Sequence, residues 1–349
     1  MKTEILLFFL SISLISCPHS EYKLLEIETV LPQELTIQSE QRVTNAHIRG
    51  LFMVNDALAW ASGTQGTYMK CTDGLTWKAD SIPGYTHLDF RDVHAFDEKT
   101  ALLMAAGEEG RILRTEDGGT TWREVYTNLE EGIFLDGMDF EGDLGYCIGD
   151  PMNGETFVLQ SLDRGSSWKR FHLKNASRAI PNEGSYAASG TTVVVKDNSL
   201  KLVWSGDSLS RLVQLDGGRD PEIHPIPLRI GEGCGVFSMA FRSKDDGVAV
   251  GGCYLDSLSR KGNCVRTRDG GVTWVKGHVN SGPNGYRSCV AYAPKTGFYL
   301  TCGRTGIDVS YNQGMSWQVL SKEGYYTCSL ADSTGWLMGR NGKMAKIKW

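Results

Sequence analysis

Five short polar turns, each ending in tryptophan, recur along this 349-residue chain, and their spacing restricts the fold more than any other feature. The copies are Thr72–Trp77, Thr115–Trp122, Ser161–Trp168, Thr267–Trp274 and Ser310–Trp317. Successive tryptophans lie 45, 46, 106 and 43 residues apart, so the long interval holds two periods, one without its tryptophan. A period of roughly 40–50 residues marks a propeller or solenoid, because one such unit cannot bury its apolar face alone. In each turn the Asp carboxylate is expected to accept hydrogen bonds from N–H groups just downstream. The glycine supplies a positive φ, and the tryptophan opens the next strand with its indole between neighbouring sheets. Asp73, Asp117, Asp163 and Asp269 are therefore read as structural, and Asn312 can make the same turn through its amide oxygen. The first copy is one residue short, so its turn should differ.

Between the turns, short apolar runs repeat in sets of four. Thr115 and Trp122 of the second unit are flanked by Asp92–Phe96, Ala101–Gly107, Arg111–Thr115 and Trp122–Tyr126. Equivalent units run from Ile48 to Lys78, Phe134 to Leu173, Tyr186 to Ile230 (the copy lacking its tryptophan), Val236 to Val279, Arg287 to Leu320, and from Tyr326 onward. The expected fold is all-β: a seven-bladed propeller of four-stranded antiparallel blades over 18–349. The last unit stops after three strands, so an N-terminal strand within 22–36, centred on Tyr22–Val30, is expected to close the ring and remove free sheet edges. Forty-one glycines and nine tryptophans suit short strands and tight turns.

Residues 1–17 have the form of an export signal. Lys2 is followed by the apolar run Ile5–Ile15, and Leu14-Ile15-Ser16-Cys17 fits a bacterial lipobox with Cys17 as the lipidated residue. The chain is thus expected to be exported, anchored by lipid in the periplasm or outer membrane of a bacterial envelope, and monomeric. An oxidising compartment permits disulfides. Cys253 and Cys264 flank a loop-like excursion and form the best pair by sequence. A net charge of −5 gives no basic footprint for nucleic acid. No CxxC or His ligand spacing suggests a metal, and no GxGxxG between strand and helix suggests a dinucleotide, so no cofactor is expected.

In a propeller, ligands meet the face where loops enter the innermost strands. Aligning the repeats puts Arg91 and Asp92, Leu135 and Asp136, Val236 and Phe237, and Arg287 and Ser288 at one channel mouth. Asp150, Glu183 and Tyr286 are expected to join them in a single cavity. Other aromatics before inner strands, namely Tyr85, Phe90, Tyr186, Tyr325 and Tyr326, could stack on a sugar or peptide or pack between blades. Asp92, Asp136, Asp150 and Glu183 are the acids that a sialidase-like or other hydrolase would use. The Phe-Arg-Ile-Pro sialidase motif is missing; Phe241-Arg242-Ser243-Lys244 is the nearest stretch.

The turns are those of the Asp-box, or bacterial neuraminidase repeat. Further stretches narrow the resemblance: Phe134–Phe140, Gly149-Asp150-Pro151, Pro181–Gly184, Ala187–Thr191, Val236–Phe241 and Gly285–Ser288. With these the mature chain resembles a bacterial group related to the photosystem II stability/assembly factor, members of which are often labelled oxidoreductase. The resemblance implies a seven-bladed propeller that binds a membrane protein during assembly and performs no chemistry. The expected function is a binding scaffold for an envelope protein or complex, with a glycan or peptide as other ligands of the mouth.

Overall fold

Among the described residues, short runs of two to nine residues form 28 strands, grouped as seven four-stranded sheets. The computed structural model describes residues 35–38, 41–176, 178–217, 219–277 and 281–349. The export signal, Cys17 and Tyr22–Val30 lie outside the described residues. Inner strands run Ile48–Met53, Asp89–Ala95, Leu135–Glu141, Val193–Lys196, Cys234–Phe241, Cys289–Tyr292 and Thr327–Leu330. In the first six blades three antiparallel strands follow in chain order, each pairing with the one before. The chain is an all-β seven-bladed propeller.

Blade seven takes Thr334–Met338, Met344–Lys348 and, as its outermost strand, Thr36–Ile37 from the other end of the chain. Thr36 pairs with Lys348 and Ile37 with Ile347. The observed closing strand thus lies at the end of the nominated 22–36 segment and just past it. On the other side of the seam, the Ser329 hydroxyl accepts from the Met53 N–H at 3.1 Å, and the Asp56 carboxylate accepts from the Ser333 and Thr334 N–H groups at 3.0 and 3.1 Å.

In every blade but the third, where Leu144–Met152 is fully buried only in its middle, second strands are buried along their whole length, as in Ala59–Gly63, Ala101–Ala106, Ser199–Ser205 and Gly247–Cys253. Blades cover both of their faces, which is why they read as unbroken apolar or small-residue runs rather than alternating ones. Outer strands are mostly exposed, and Trp77–Ser81 buries its tryptophan alone.

The polar turns lock the hinge between third and fourth strands. Asp117 accepts from the Thr121 N–H at 2.9 Å and hydroxyl at 2.6 Å; Asp163 and Asp269 repeat this with Ser167 and Thr273. These bonds lower the pKa of the Asp117 carboxyl to about 2. Asn312 keeps the geometry by accepting the Ser316 N–H at 2.9 Å while its amide donates to the Ser316 hydroxyl at 2.8 Å. The shortened first turn differs as expected, with Asp73 accepting from Leu75 and Thr76, one residue earlier. Behind each of the four full-length turns a glycine meets the preceding blade. Gly165 has φ 76°, and a Cβ there would sit 2.4 Å from the Leu102 side chain. Gly165→Ala should therefore lower unfolding stability by about 1–2 kcal/mol or more, read by urea denaturation. An unchanged midpoint would refute the close approach.

The cysteine pairing departs from the sequence expectation. Cys253 is bonded to Cys234, not to Cys264, which is a buried free thiol. Register explains the choice. Cys234 and Cys253 are directly opposed on adjacent strands, whereas Cys264 faces Val250.

Candidate binding site at the channel mouth

One recurring backbone irregularity builds the mouth. In blades one, two, three and five the register between first and second strands skips one residue of the inner strand. The skipped residues are Arg49, Arg91, Asp136 and Phe237. In blade six Ser288 holds the equivalent place, its N–H donating to the Cys302 carbonyl opposite Cys289. A bulge re-aims one side chain and raises local twist. Here it directs successive bulge residues toward one end of the axis.

The residue before each bulge is core: Ile48, Phe90, Leu135, Val236 and Arg287 are all at most 1 % exposed. The aligned repeats therefore slip by one at Arg91, whose true equivalents are Asp136, Phe237 and Ser288. That slip accounts for two misplaced residues. Arg287 does not line the mouth; it donates from Nε to the Asp308 carboxylate at 2.6 Å and from its other nitrogens to the Tyr286 and Asn284 carbonyls and the Thr305 hydroxyl. Asp92 points down the axis, where its two oxygens accept from the Val93 N–H at 2.8 Å and the Met138 N–H of the next blade at 2.7 Å. It lines a second cavity of ≈ 400 Å³ with His94, Asp139 and Lys196.

Glu183 is also engaged elsewhere. Its carboxylate is buried against Arg211, with Nε–Oε1 2.5 Å and Nη2–Oε2 2.7 Å, an interior pair that anchors the loop before blade four. Asp136 lies beneath the mouth without reaching it, fully buried and with neither carboxyl oxygen hydrogen-bonded. Burial, helped by the Asp150 charge, pushes its pKa well above the carboxylate range, while Arg91 pulls the other way.

The mouth cavity itself has a volume of ≈ 450 Å³. Of the residues named from sequence it brings together Arg91, Asp150, Tyr186, Phe237, Tyr286, Ser288 and Tyr326. It adds Arg49, Arg304, Phe134 and Tyr254, with Ser185, Ala187 and Ala188. Arg49 was legible as the first-blade equivalent of Arg91; Arg304 and Tyr254 sit on loops that no repeat alignment reaches.

One side of the cavity is cationic. The Arg49 guanidinium lies 4.5 Å over the Tyr326 ring and makes no salt bridge among the described residues. Burial and the neighbouring Arg91 both lower its pKa. Arg91 is held by Asp89 at 2.7 Å with Phe134 under it at 5.6 Å. Arg304 donates to the Tyr254 carbonyl from the rim. The other side is aromatic. Tyr186 stacks on Phe237 with centroids 3.7 Å apart, and Tyr286 meets the same ring edge-on at 4.7 Å. The Tyr186 hydroxyl donates to the Cys234 carbonyl, tying this wall to the disulfide. Between the two sides sits Asp150, which accepts from the Ser185 N–H at 2.9 Å and is raised to about 6 by burial. Tyr85 is instead bonded to Glu124, and Phe90 and Tyr325 are core.

Such a cavity can take an anionic group beside a flat or apolar one. Among the described residues no group of His, Cys, Asp and Glu is arranged to hold a metal ion.

Residues 85–191 match the family model described as photosynthesis system II assembly factor YCF48. No curated protein matches the chain. Among solved structures, "YCF48 bound to D1 peptide" is 14% identical with TM-score 0.63, over 89% of this chain and 96% of that one. YCF48 from Cyanidioschyzon merolae is 14% identical with TM-score 0.60, over 89% and 99%. A catalytically inactive virginiamycin B lyase from Staphylococcus aureus, solved with quinupristin, is 13% identical with TM-score 0.59, over 90% and 100%. At these identities the likeness shows the fold alone, and the family match is carried by 85–191. Residues 85–191 thus resemble that family, and the chain as a whole is a seven-bladed propeller.

Proposed function

We propose that this propeller is a non-catalytic binding scaffold, an assembly or stability factor for an envelope protein or complex, which grips an acidic peptide segment of its partner at the channel mouth. The observation that carries this reading is the pairing of Arg49 and Arg91, with one carboxylate partner (Asp89) between them, against the Tyr186–Phe237–Tyr286 wall. Guanidiniums give bidentate recognition of a carboxylate, and aromatic faces take the adjoining side chain or peptide plane. A relative of the same fold has been solved with a peptide, which supports a peptide ligand for this one. The acids nominated for hydrolysis are dispersed, since Asp150 alone of the four lines the mouth. The Leu14–Cys17 lipobox supports anchoring at the membrane, and palmitate labelling lost on Cys17→Ala would test it.

Immobilised protein should capture one dominant partner from detergent-solubilised envelope, and Arg49→Ala and Arg91→Ala should each weaken its binding roughly tenfold or more. Capture of nothing specific, or equal capture by both variants, would defeat the proposal. Binding should also depend on pH. As pH falls through about 6, Asp150 loses its charge. An acidic peptide should then bind roughly three- to tenfold tighter at pH 5.5 than at 7.5, while Asp150→Asn binds tightly at both. Titration calorimetry that showed weaker binding at the lower pH would contradict this placement of Asp150.

A further inference from the structure

Three thiols meet below the mouth at the seam between blades six and seven. Cys289 opens the inner strand of blade six, Cys302 is its register partner on the second strand, and Cys328 belongs to the inner strand of blade seven. All three are buried in one apolar cluster. The Cys289 Sγ lies 3.4 Å from the Cys328 carbonyl oxygen, and the Thr327 hydroxyl approaches it to 3.9 Å.

Blade five shows what this relation can produce. Cys234 and Cys253, opposed in register across first and second strands, are bonded. Cys289 and Cys302 are opposed in the same way one blade further on. Directly opposed antiparallel residues have Cα atoms about 4.5–5.5 Å apart, inside the span a disulfide bridges. The remaining thiols have no such partner: Cys71 faces Ala59 and Trp77, Cys147 faces Met138 and Leu159, and Cys264 faces Val250.

We propose that Cys289 and Cys302 form a second disulfide, closed by exchange with a disulfide-bearing oxidant while the propeller folds. The Cys289 thiolate attacks one sulfur of the oxidant's disulfide and expels its first thiol, leaving a mixed disulfide. The Cys302 thiolate then attacks the Cys289 sulfur and expels the second. The chain gives up two protons and two electrons, and the oxidant's disulfide becomes two thiols. Both sulfurs are out of reach once blade seven has docked, each residue being 0% exposed, so exchange belongs to an open stage of folding. The bond would lie next to Ser288, whose hydroxyl donates to the Tyr326 carbonyl at 2.6 Å, and would hold the floor of the mouth to the second strand.

The test is a non-reducing peptide map of the full chain, refolded from the reduced state in oxidised and reduced glutathione. Cys289 and Cys302 should be recovered joined, alongside Cys234–Cys253, and Cys328→Ala should leave that bond in place. Folded, reduced protein given the same glutathione mixture should keep Cys289 and Cys302 free. Recovery of Cys289 as a free thiol in refolded protein that carries Cys234–Cys253 would overturn the assignment, as would a Cys289–Cys328 bond. Protein exported to the periplasm of an expression host gives the same map without refolding.

Discussion

Replacing Arg287 by alanine should cost about 3–5 kcal/mol of unfolding stability, the penalty for stranding one charge of a buried pair. Arg287 and Asp308 are 0% and 1% exposed. The guanidinium also satisfies two carbonyls and a hydroxyl, so alanine leaves three acceptors without that donor and the Asp308 carboxylate with the Asn284 N–H at 3.3 Å in place of an ion pair. Burial already raises the Asp308 pKa against the pull of Arg287, and without the arginine the acid should take up a proton in the folded state. The variant should therefore lose more stability at pH 8 than at pH 5. The double variant Arg287→Met/Asp308→Leu should recover much of the loss, because removing both charges removes their desolvation cost as well. Urea unfolding of the three proteins decides the matter. A single-variant loss below about 1 kcal/mol would mean the pair carries no structural weight.

Asp136→Asn should flatten the decline of stability toward alkaline pH. A carboxyl whose folded pKa is raised keeps its proton after the unfolded chain has released its own. Unfolding then grows easier as pH rises from about 4 through the folded pKa. Asp150 acts in this sense up to about 6 and Asp139 up to about 7, and burial pushes Asp92 and Asp136 well above the ordinary carboxyl range. The turn aspartates act oppositely and lower down: their pKa values are depressed, so their contribution is present above the ordinary carboxyl range and lost below it. Among the buried acids Asp136 is the one with no hydrogen bond to either oxygen. Asparagine there should leave stability at pH 5 nearly unchanged and raise it at pH 8 by about 1–2 kcal/mol. Urea midpoints that fell equally at both pH values would show that Asp136 is ionised and paired by means other than those described.

The repeat architecture was legible because its signals are local. Asp117, Asp163 and Asp269 close their turns on residues four positions away, and the glycines between them need a positive φ whatever surrounds them. Asn312 follows the same local geometry, so its substitution changes nothing. Blade four kept its place without its turn tryptophan, and Ile226 of its outer strand lies in the core. The site was legible only in part. Arg91 and Arg287 look alike in sequence, each next to a polar residue at the start of an inner strand. One sits on the bulge and faces the mouth; the other precedes it and faces Asp308 in the core. A shift of one residue turns a strand side chain to the opposite face, and nothing in a single sequence marks where a bulge begins.

The number of blades, the turns between their strands and the ring closed by an N-terminal strand can be read from the chain alone, because periodicity and turn chemistry act over a few residues. Which charges are free at the mouth, which are consumed in buried pairs, and which cysteines oppose one another is settled when the blades pack. Those outcomes depend on register between strands and on contacts across blade seams, where residues such as Asp92 and Met138, or Cys289 and Cys328, meet across dozens of intervening positions.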